Sequence, residues 1–283
     1  MTIKLKGHET FAIREGWLNK GMTEIEKDNK VFAKNLGADA LGVGSNMAKS
    51  IRYWLRAGGF TEEKGKSNVT LSKIGKIVLE QDRYFEDLFV YEIFHINLVW
   101  NIENATTWYL VFQKINAEEF TKDELYVLLE HELNNMGIEQ FSHRSLQDDI
   151  TVLLHMYTRE KGNDYDPEEK KNSPFAKLGL IKQNGRKYVK SVPDRDVLHP
   201  LAVLYALKKY MEYKGSDSAK IDELMNAPLS PGKVFNLKRI RINEYLDKLE
   251  ESGYITVNRT AGLDMVYMKC QWTLEEIVEK YYA

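Results

Sequence analysis

The chain has 283 residues, a formal net charge of −2 and 43% hydrophobic residues. This balance is typical of a globular protein and excludes one that coats nucleic acid through an overall positive charge, although locally clustered cations can still bind it. The only cysteine, Cys270, excludes an internal disulfide framework, so a reducing, cytoplasmic compartment is expected.

No stretch predicts a signal peptide or a membrane span. The first residues, MTIKLKGHETF, lack the apolar core of a signal peptide. The most apolar run, FVYEIFHINLVWNI (89–102), is short and contains Glu92 and His95, so we expect a buried helix there.

The first strongly patterned stretch is residues 41–60, LGVGSNMAKSIRYWLRAGGF. Its apolar residues recur at helical spacing, which predicts an amphipathic helix with Ser45 as N-cap and Ala57-Gly58-Gly59 at its end. The apolar stripe consists of Met47, Ile51, Trp54 and Leu55. The preceding LGVG is predicted to be the tight turn of a helix–turn–helix.

The opposite face of this helix carries polar and cationic side chains: Asn46, Lys49, Arg52, Tyr53 and Arg56. Arginine and lysine neutralise DNA phosphates or reach guanine, and asparagine can pair with adenine, so this face predicts DNA contact. Residues 61–72 predict a turn and a strand that form a short wing, and its Lys64 and Lys66 are expected to contact DNA as well. The alternative is a solvated basic face without a ligand.

A phosphate-binding loop is the competing interpretation of the same stretch, because Lys49-Ser50 matches the end of G-x-x-x-x-G-K-[ST]. Val43 and Ala48 occupy the two glycine positions of that motif, and Met47 stands at the third glycine of the dinucleotide fingerprint. Because backbone amides need those glycines to wrap closely around phosphates, a nucleotide-binding loop is not favoured.

Helical periodicity dominates the rest of the chain. Helices are predicted in residues 81–114, 121–136, 145–158, 199–213 and 238–251, the second of them with a capping box between Thr121 and Glu124. An exposed polar loop is predicted at 161–174, and hairpins are predicted at 180–191 and 254–269.

These elements predict a mainly α (α+β) fold, with winged helix-turn-helix elements at the N- and C-terminal ends and a helical middle. Residues 1–80 are predicted to form an N-terminal winged-helix DNA-binding domain, 81–194 a helical middle with a hairpin near 180–191, and 195–283 a C-terminal winged-helix-like domain. In the last domain the outward residues Arg241, Glu244 and Lys248 mix charge sign, so it is suited to protein contacts as well as to DNA.

Five strings stand out as motifs: KGHETFAIREGWLNKG (6–21), LGVGSNMAKSIRYW (41–54), NATTWY (104–109), SLQDDI (145–150) and NRTAGLD (258–264). They resemble an SspB-like prokaryotic family catalogued as a domain of unknown function, whose members lie in DNA phosphorothioation and related phage-defence gene clusters. The resemblance implies a DNA-engaging component of a sulfur-inserting system, with sulfur-transfer and ATPase proteins as partners. It also implies an association with strand nicking.

A nickase needs carboxylates that hold a divalent metal, or a nucleophile with a base, and His8, Glu9 and Arg14 are the candidate catalytic residues. His8 would act as the base, Glu9 would hold Mg²⁺ or Mn²⁺, and Arg14 would stabilise charge on the phosphate. The simpler interpretation, which the sequence favours, is an N-terminal cap over the first domain, in which Glu9 pairs with Arg14 and His8 makes a polar contact.

A second candidate set consists of His143, Arg144, Asp148 and Asp149. Adjacent carboxylates point about 100° apart on a helix, so one metal held by both is awkward. An ion pair between Arg144 and Asp148 is the favoured interpretation of this set.

Two functions remain open at this stage. The first is a DNA-binding component of a bacterial DNA modification or phage-defence system that nicks duplex DNA. The second is a non-enzymatic winged-helix adaptor or transcriptional regulator. No cofactor motif is evident; the expected partner is duplex DNA, and a homodimer is compatible with the sequence.

Overall fold

A computed structural model describes residues 2–65, 68–158, 173–262 and 264–283. The chain divides into two compact units, Met1–Ser191 and Val192–Ala283. The segments 1–80 and 81–194, which are predicted from the sequence to be separate domains, share the first unit up to Ser191. The loop predicted at 161–174 lies, up to residue 172, outside the described residues.

The described helices of the first unit are α1 (Trp17–Lys27), α2 (Ala38–Leu41), α3 (Ser45–Ala57), α4 (Lys73–Gln81), α5 (Leu88–Trp100), α6 (Thr106–Tyr109), α7 (Lys122–Asn135) and α8 (His143–Tyr157). Its strands are β1 (Thr61–Lys64), β2 (Asn68–Leu71), β3 (Glu119–Phe120), β4 (Ile181–Asn184) and β5 (Lys187–Lys190). A π-helical turn, Leu110–Lys114, continues α6, and 3-10 turns lie at Val31–Ala33, Asn35–Gly37 and Pro174–Leu178.

The second unit contains helices α9 (Pro200–Lys214), α10 (Ile221–Asn226), α11 (Pro231–Phe235), α12 (Arg239–Glu251) and α13 (Leu274–Tyr282), and strands β6 (Ser218–Lys220), β7 (Ile255–Asn258) and β8 (Met265–Met268). Thr260–Gly262 forms a 3-10 turn between the last two strands. The mixed α+β class expected from the sequence is confirmed, with small antiparallel sheets beside the helices.

The chain repeats a similar order of elements three times: a helix, a connecting segment, two helices (three in the last copy, α10, α11 and α12) and an antiparallel hairpin. The first copy is α1–α2–α3–β1–β2, the second runs from α6 to β5, and the third runs from α9 to β8. In each copy, the second strand of the hairpin is hydrogen-bonded to the segment that follows the first helix. The backbone N–H groups of Val69, Lys190 and Met268 donate to the carbonyls of Asn29, Glu118 and Asp217, each over 2.8 Å.

This order is typical of winged-helix domains, and the assignment of the two ends of the chain to that fold remains a prediction. The two three-stranded sheets have the same topology, since the orders β3-β5-β4 and β6-β8-β7 both place the hairpin's second strand in the centre. The likeness between copies is therefore one of backbone arrangement, and the sequence shows no strict repeat of residue identity.

Local signals in the sequence explain most helix ends. Thr121 and Glu124 form the predicted capping box at α7. Ser45, predicted as the N-cap of α3, is instead its first residue, because Gly44 occupies the cap without a side-chain hydrogen bond. The apolar helix α5 is buried along nearly all of its length, as expected for FVYEIFHINLVWNI. No helix among the described residues is long and apolar enough to cross a membrane.

Candidate nucleic-acid interface

The N-terminal segment 4–10, which we call the arm, lies against α3, α6 and α8. Three of its residues other than glycine have positive φ angles: Lys6 (57°), Glu9 (51°) and Thr10 (71°). Such angles are unfavourable for L side chains and persist where the surroundings fix the backbone. Here the N–H of Lys4 donates to Oγ1 of Thr106 over 2.9 Å, so the arm is fixed by specific hydrogen bonds to a neighbouring helix.

Asp149 on α8 is the main anchor of the arm. Its Oδ1 accepts from the backbone N–H of Lys6 over 2.7 Å and lies 2.8 Å from Nε2 of His8, while Oδ2 accepts from the hydroxyl of Thr107 over 2.6 Å. The side chain is 1% exposed. A buried carboxylate is stable only when its oxygens are hydrogen-bonded, so these three partners hold the arm, α6 and α8 together.

His8 is fully buried and both of its ring nitrogens are in use. Nδ1 accepts from the N–H of Thr10 over 3.1 Å, which places the proton on Nε2 for donation to Asp149. The ring stacks on Trp54 with 5.6 Å between centroids and an interplanar angle of 11°. This geometry gives His8 a structural task and leaves it no free nitrogen for a substrate, so the arrangement does not support the general-base role proposed for it.

The other two candidate catalytic residues have separate partners. Oε1 of Glu9 lies 3.8 Å from Nζ of Lys49. Arg14 is exposed, and its guanidinium carbon lies 5.5 Å from the centroid of the Trp17 ring. The favoured Glu9–Arg14 pair is thus replaced by contacts with Lys49 and Trp17.

The described residues contain no group of three or more His, Cys, Asp and Glu side chains placed to hold a metal ion. Glu9 is therefore not part of such a cluster, and the binding of Mg²⁺ or Mn²⁺ at this position stays a prediction.

Tyr53 corrects the predicted DNA-contacting face of α3. Helical periodicity places it beside Arg52 on the polar side, but it is 6% exposed because the arm covers it. A Cβ at Gly7 would lie 2.2 Å from Cε2 of Tyr53, so only glycine allows this close approach. The phenol donates to the carbonyl of Asn104 over 2.7 Å, and burial, together with the charge of Asp149, raises its pKa well above the usual value.

Arg52 and Arg56 share one carboxylate from the hairpin. Nε of Arg52 donates to Oε1 of Glu63 over 2.8 Å, and a terminal nitrogen of Arg56 donates to Oε2 over 3.0 Å. Burial alone would raise the pKa of Glu63, but the hydrogen bonds from the two guanidinium groups outweigh it and hold the pKa below its usual range. The two arginines thus stand in a fixed, charged arrangement.

These elements enclose a pocket of about 190 Å³, which we call the α3 pocket; it is lined by Lys4, Gly7, Leu36, Lys49, Arg52, Tyr53, Arg56 and Glu63. Four cations and one carboxylate in this lining give a formal charge of +3. The volume is below the range of about 300–1,000 Å³ typical of cofactor pockets. The pocket therefore suits one small anionic group.

The remaining predicted DNA contacts lie around the pocket or beyond it. Nζ of Lys49 donates to Oδ1 of the exposed Asn46 over 3.2 Å, and both belong to the first turns of α3. Lys64 is exposed at the end of β1. Lys66 lies outside the described residues. The structure thus brings Lys49, Arg52 and Arg56 together, and it adds Lys4, which is not among the predicted contacts.

The SLQDDI segment also differs from expectation. Asp148 pairs with Lys6 over 2.7 Å instead of with Arg144. Nδ1 of His143 lies 2.5 Å from the hydroxyl of Tyr126. A second pocket, of about 510 Å³, lies between α7 and α8. Its polar lining is mixed in charge, with Lys122 opposed by Asp123 and Asp148, so it has no preference for anions.

Sequence reasoning missed Glu63. It considered Asp149 only as a metal ligand beside Asp148 and did not identify it as the partner of His8. The strings KGHETF, SIRYW, NATTWY and SLQDDI supply His8, Trp54, Thr107 and Asp149, which meet in one buried cluster behind the α3 pocket. Separated motifs that contain both hydrogen-bond donors and acceptors can indicate such a buried cluster. They cannot show which donor binds which acceptor.

Comparisons with known proteins agree with the resemblance noted from the sequence. Two solved structures, described as a magnesium ion-bound SspB crystal structure and an SspB crystal structure, each match this chain with a TM-score of 0.85 and 23% sequence identity. Each match covers 99% of this chain and 88% of the other, and at this identity the likeness establishes the fold.

No curated protein sequence matches the chain significantly. The family described as "Protein of unknown function (DUF4007)" matches residues 5–282. Since this match spans nearly the whole sequence, the chain belongs to that DUF4007 family.

Proposed function

We propose that this chain binds duplex DNA through the α3 pocket and serves as the DNA-engaging component of a bacterial phosphorothioation or phage-defence system. One observation carries the proposal: four cations converge on a recess with a formal charge of +3 in a chain whose net charge is only −2. A backbone phosphate of DNA is the ligand that such a recess fits, because phosphate contacts provide most of the affinity of proteins for DNA.

The side chain of Arg56 retains N–H donors for a phosphate. Each guanidinium has five N–H donors. Arg56 uses one terminal nitrogen for Glu63, so the other N–H groups of its partly exposed side chain can bind an anion. The side chains of Arg52 and Arg56 are 24% and 33% exposed, so both are partly shielded from water, which strengthens a charge-assisted hydrogen bond.

This form of DNA contact differs from the groove-reading helix suggested by periodicity. Tyr53 is covered, and Arg52 and Arg56 point into a recess that they share with Glu63. Asn46 is the exposed polar residue at the beginning of α3 that is best suited to reach a base edge. We therefore propose that the pocket binds a phosphate and so fixes the position of the protein along the duplex. We assign the pocket no role in recognising bases.

The genomic setting comes from resemblance, which connects this family to sulfur-transfer and ATPase partners. The fold likeness to SspB structures supports the same setting. Nicking of DNA remains a prediction, because no cluster of metal-binding side chains is found among the described residues. Incubation of supercoiled plasmid with Mg²⁺ or Mn²⁺ tests it directly, since a nickase produces open circles and a binding protein does not.

Fluorescence anisotropy with a labelled duplex tests DNA binding at the pocket. Lys49→Ala and Arg52→Ala should each weaken binding to all sequences similarly and reduce the slope of log K against log salt by about 1. Arg239→Ala, which removes a cation that pairs with Asp222 in the second unit, is the matched control and should leave the slope unchanged. Equal binding by wild type and both pocket variants would overturn the proposal.

A further inference from the structure

The β4–β5 hairpin presents two different faces. Its register pairs Lys182 with Val189 and Asn184 with Lys187, so these residues share one face, and Ile181, Gln183, Tyr188 and Lys190 share the other. The inner face is occupied by the protein itself: Ile181 is buried, and Nζ of Lys190 donates to the carbonyls of Val111 and Ile115 over 2.5 and 2.6 Å.

The outer face and the turn are cationic and exposed. Lys182 and Lys187 on the outer face and Arg186 in the turn are exposed, together with the amide of Asn184. Lys187 is paired with Glu119 over 2.6 Å. Neither Lys182 nor Arg186 forms an ion pair with any residue that the structure describes. The surrounding sequence from 173 to 193 contains no Asp or Glu, so nothing in this stretch neutralises them.

The equivalent hairpins of the other two copies differ in charge. In the first, Glu62 and Glu63 lie on β1 beside Lys64. In the third, Arg259 pairs with Asp247 over 2.6 Å. The middle hairpin therefore follows two helices, as the wing of a winged-helix domain does. Its cations Lys182 and Arg186 are not neutralised by an ion pair with any described residue.

We propose that the β4–β5 hairpin is a second DNA-contacting surface, on which Lys182 and Arg186 bind backbone phosphates of the duplex. The proposal rests on the DNA-binding function assigned above and adds a separate contact to it. Its exposed side chains are all cations or amides, and a protein partner would need an apolar centre that this tip lacks. Protein–DNA interfaces, in contrast, are polar and positively charged.

The test compares single charge removals within one hairpin in the full chain. Lys182→Gln, Arg186→Gln and Lys187→Gln each remove one positive charge, but only Lys187 is already paired. We expect the first two each to weaken binding of a labelled duplex several-fold and to reduce the log K–log salt slope by about 1, measured between about 50 and 200 mM salt. Lys187→Gln should change the slope much less.

The possible outcomes separate the hairpin from the α3 pocket. If the three hairpin variants bind like wild type while Lys49→Ala and Arg52→Ala weaken binding, the hairpin proposal is wrong and the pocket stands. If Lys182→Gln and Arg186→Gln weaken binding while the pocket variants do not, the hairpin stands and the pocket assignment is wrong.

Two further outcomes would overturn the hairpin proposal. Wild-type protein that fails to bind duplex DNA would remove both proposals together. Hairpin variants that lose binding to poly-L-glutamate, but keep full affinity for duplex, would assign the surface to an acidic protein. Far-UV circular dichroism of each variant checks that the hairpin substitutions leave the fold intact.

Discussion

Helices α3 and α12 hold the same place in the repeated order, since each follows a shorter helix and precedes a hairpin, yet their charges are arranged differently. On α3, Arg52 and Arg56 share the single carboxylate of Glu63 and line a positive pocket. On α12, Arg239 pairs with Asp222 and Asp264. A cationic helix becomes an anion site only where its cations outnumber their internal partners.

Glu244 shows how fully the second unit neutralises its cations. Both Arg195 and Arg241 donate to it, and the hydrogen bond from Arg195 is the main reason that its pKa falls to about 2. This network therefore leaves little unopposed charge on α12, in line with the mixed charge signs seen in the sequence. Single substitutions that change the charge balance or the support of either helix test this difference between α3 and α12.

The largest effect is expected at the anchor behind the α3 pocket. Asp149→Ala would leave the buried His8 ring, the Thr107 hydroxyl and the Lys6 N–H without their acceptor. We expect a loss of about 3–5 kcal/mol in the free energy of unfolding, measured by denaturant titration. Asp148→Ala, which breaks only the partly exposed pair with Lys6, should cost under about 1 kcal/mol. Equal costs would show that Asp149 is no anchor.

A pair of tryptophans tests how the residue that follows the arm, Phe11, is attached to α3. Both Trp54 and Trp108 are 0% exposed, but only Nε1 of Trp54 has a described acceptor, the carbonyl of Phe11 at 3.0 Å. Substitution with Phe removes similar volume from each. Trp54→Phe should therefore destabilise the protein by about 1–2 kcal/mol more than Trp108→Phe, because it leaves the carbonyl of the half-buried Phe11 without its donor. A larger cost for Trp108→Phe in thermal unfolding would contradict the arrangement.

Glu63 offers a way to enhance the difference between the helices. Glu63→Gln removes the carboxylate that competes with a phosphate for Arg52 and Arg56, so DNA should bind a few-fold more tightly, equivalent to about 1 kcal/mol. Glu62→Gln makes the same charge change at the exposed neighbouring position and serves as the control. Weaker binding by Glu63→Gln would mean that the carboxylate is needed to orient the arginines.

The smallest effect concerns acid stability of the second unit. Because the pKa of Glu244 is lowered to about 2, its ion pairs contribute stability that is complete above the unfolded-state value near 4.3 and is lost as the pH falls towards 2. Glu244→Gln should flatten the pH dependence of unfolding in that window. An unchanged profile in the variant would show that the pairs with Arg195 and Arg241 add nothing measurable.

Local patterns in the sequence predicted the elements but not the site. The α7 capping box, the Asn184-Gly185 hairpin and the buried helix α5 depend on residues close together in the chain, and all three are confirmed. The anchor joins His8 to Asp149 across 141 positions, and no local pattern specifies such a pair. Tyr53 was misplaced for the same reason, since periodicity gives the face of a helix but not what covers it.

The most direct test of the phosphate site observes the arginines themselves. The Nε–Hε resonances of Arg52 and Arg56, assigned from single Lys substitutions, can be followed by NMR while a short duplex is added, with Arg239 on α12 as an internal reference. We predict that Arg52 and Arg56 shift and saturate with the binding isotherm, while Arg239 stays in place. Shifts confined to Arg239, or no shift at Arg52 and Arg56 when DNA is fully bound, would contradict the assignment of DNA to the α3 pocket.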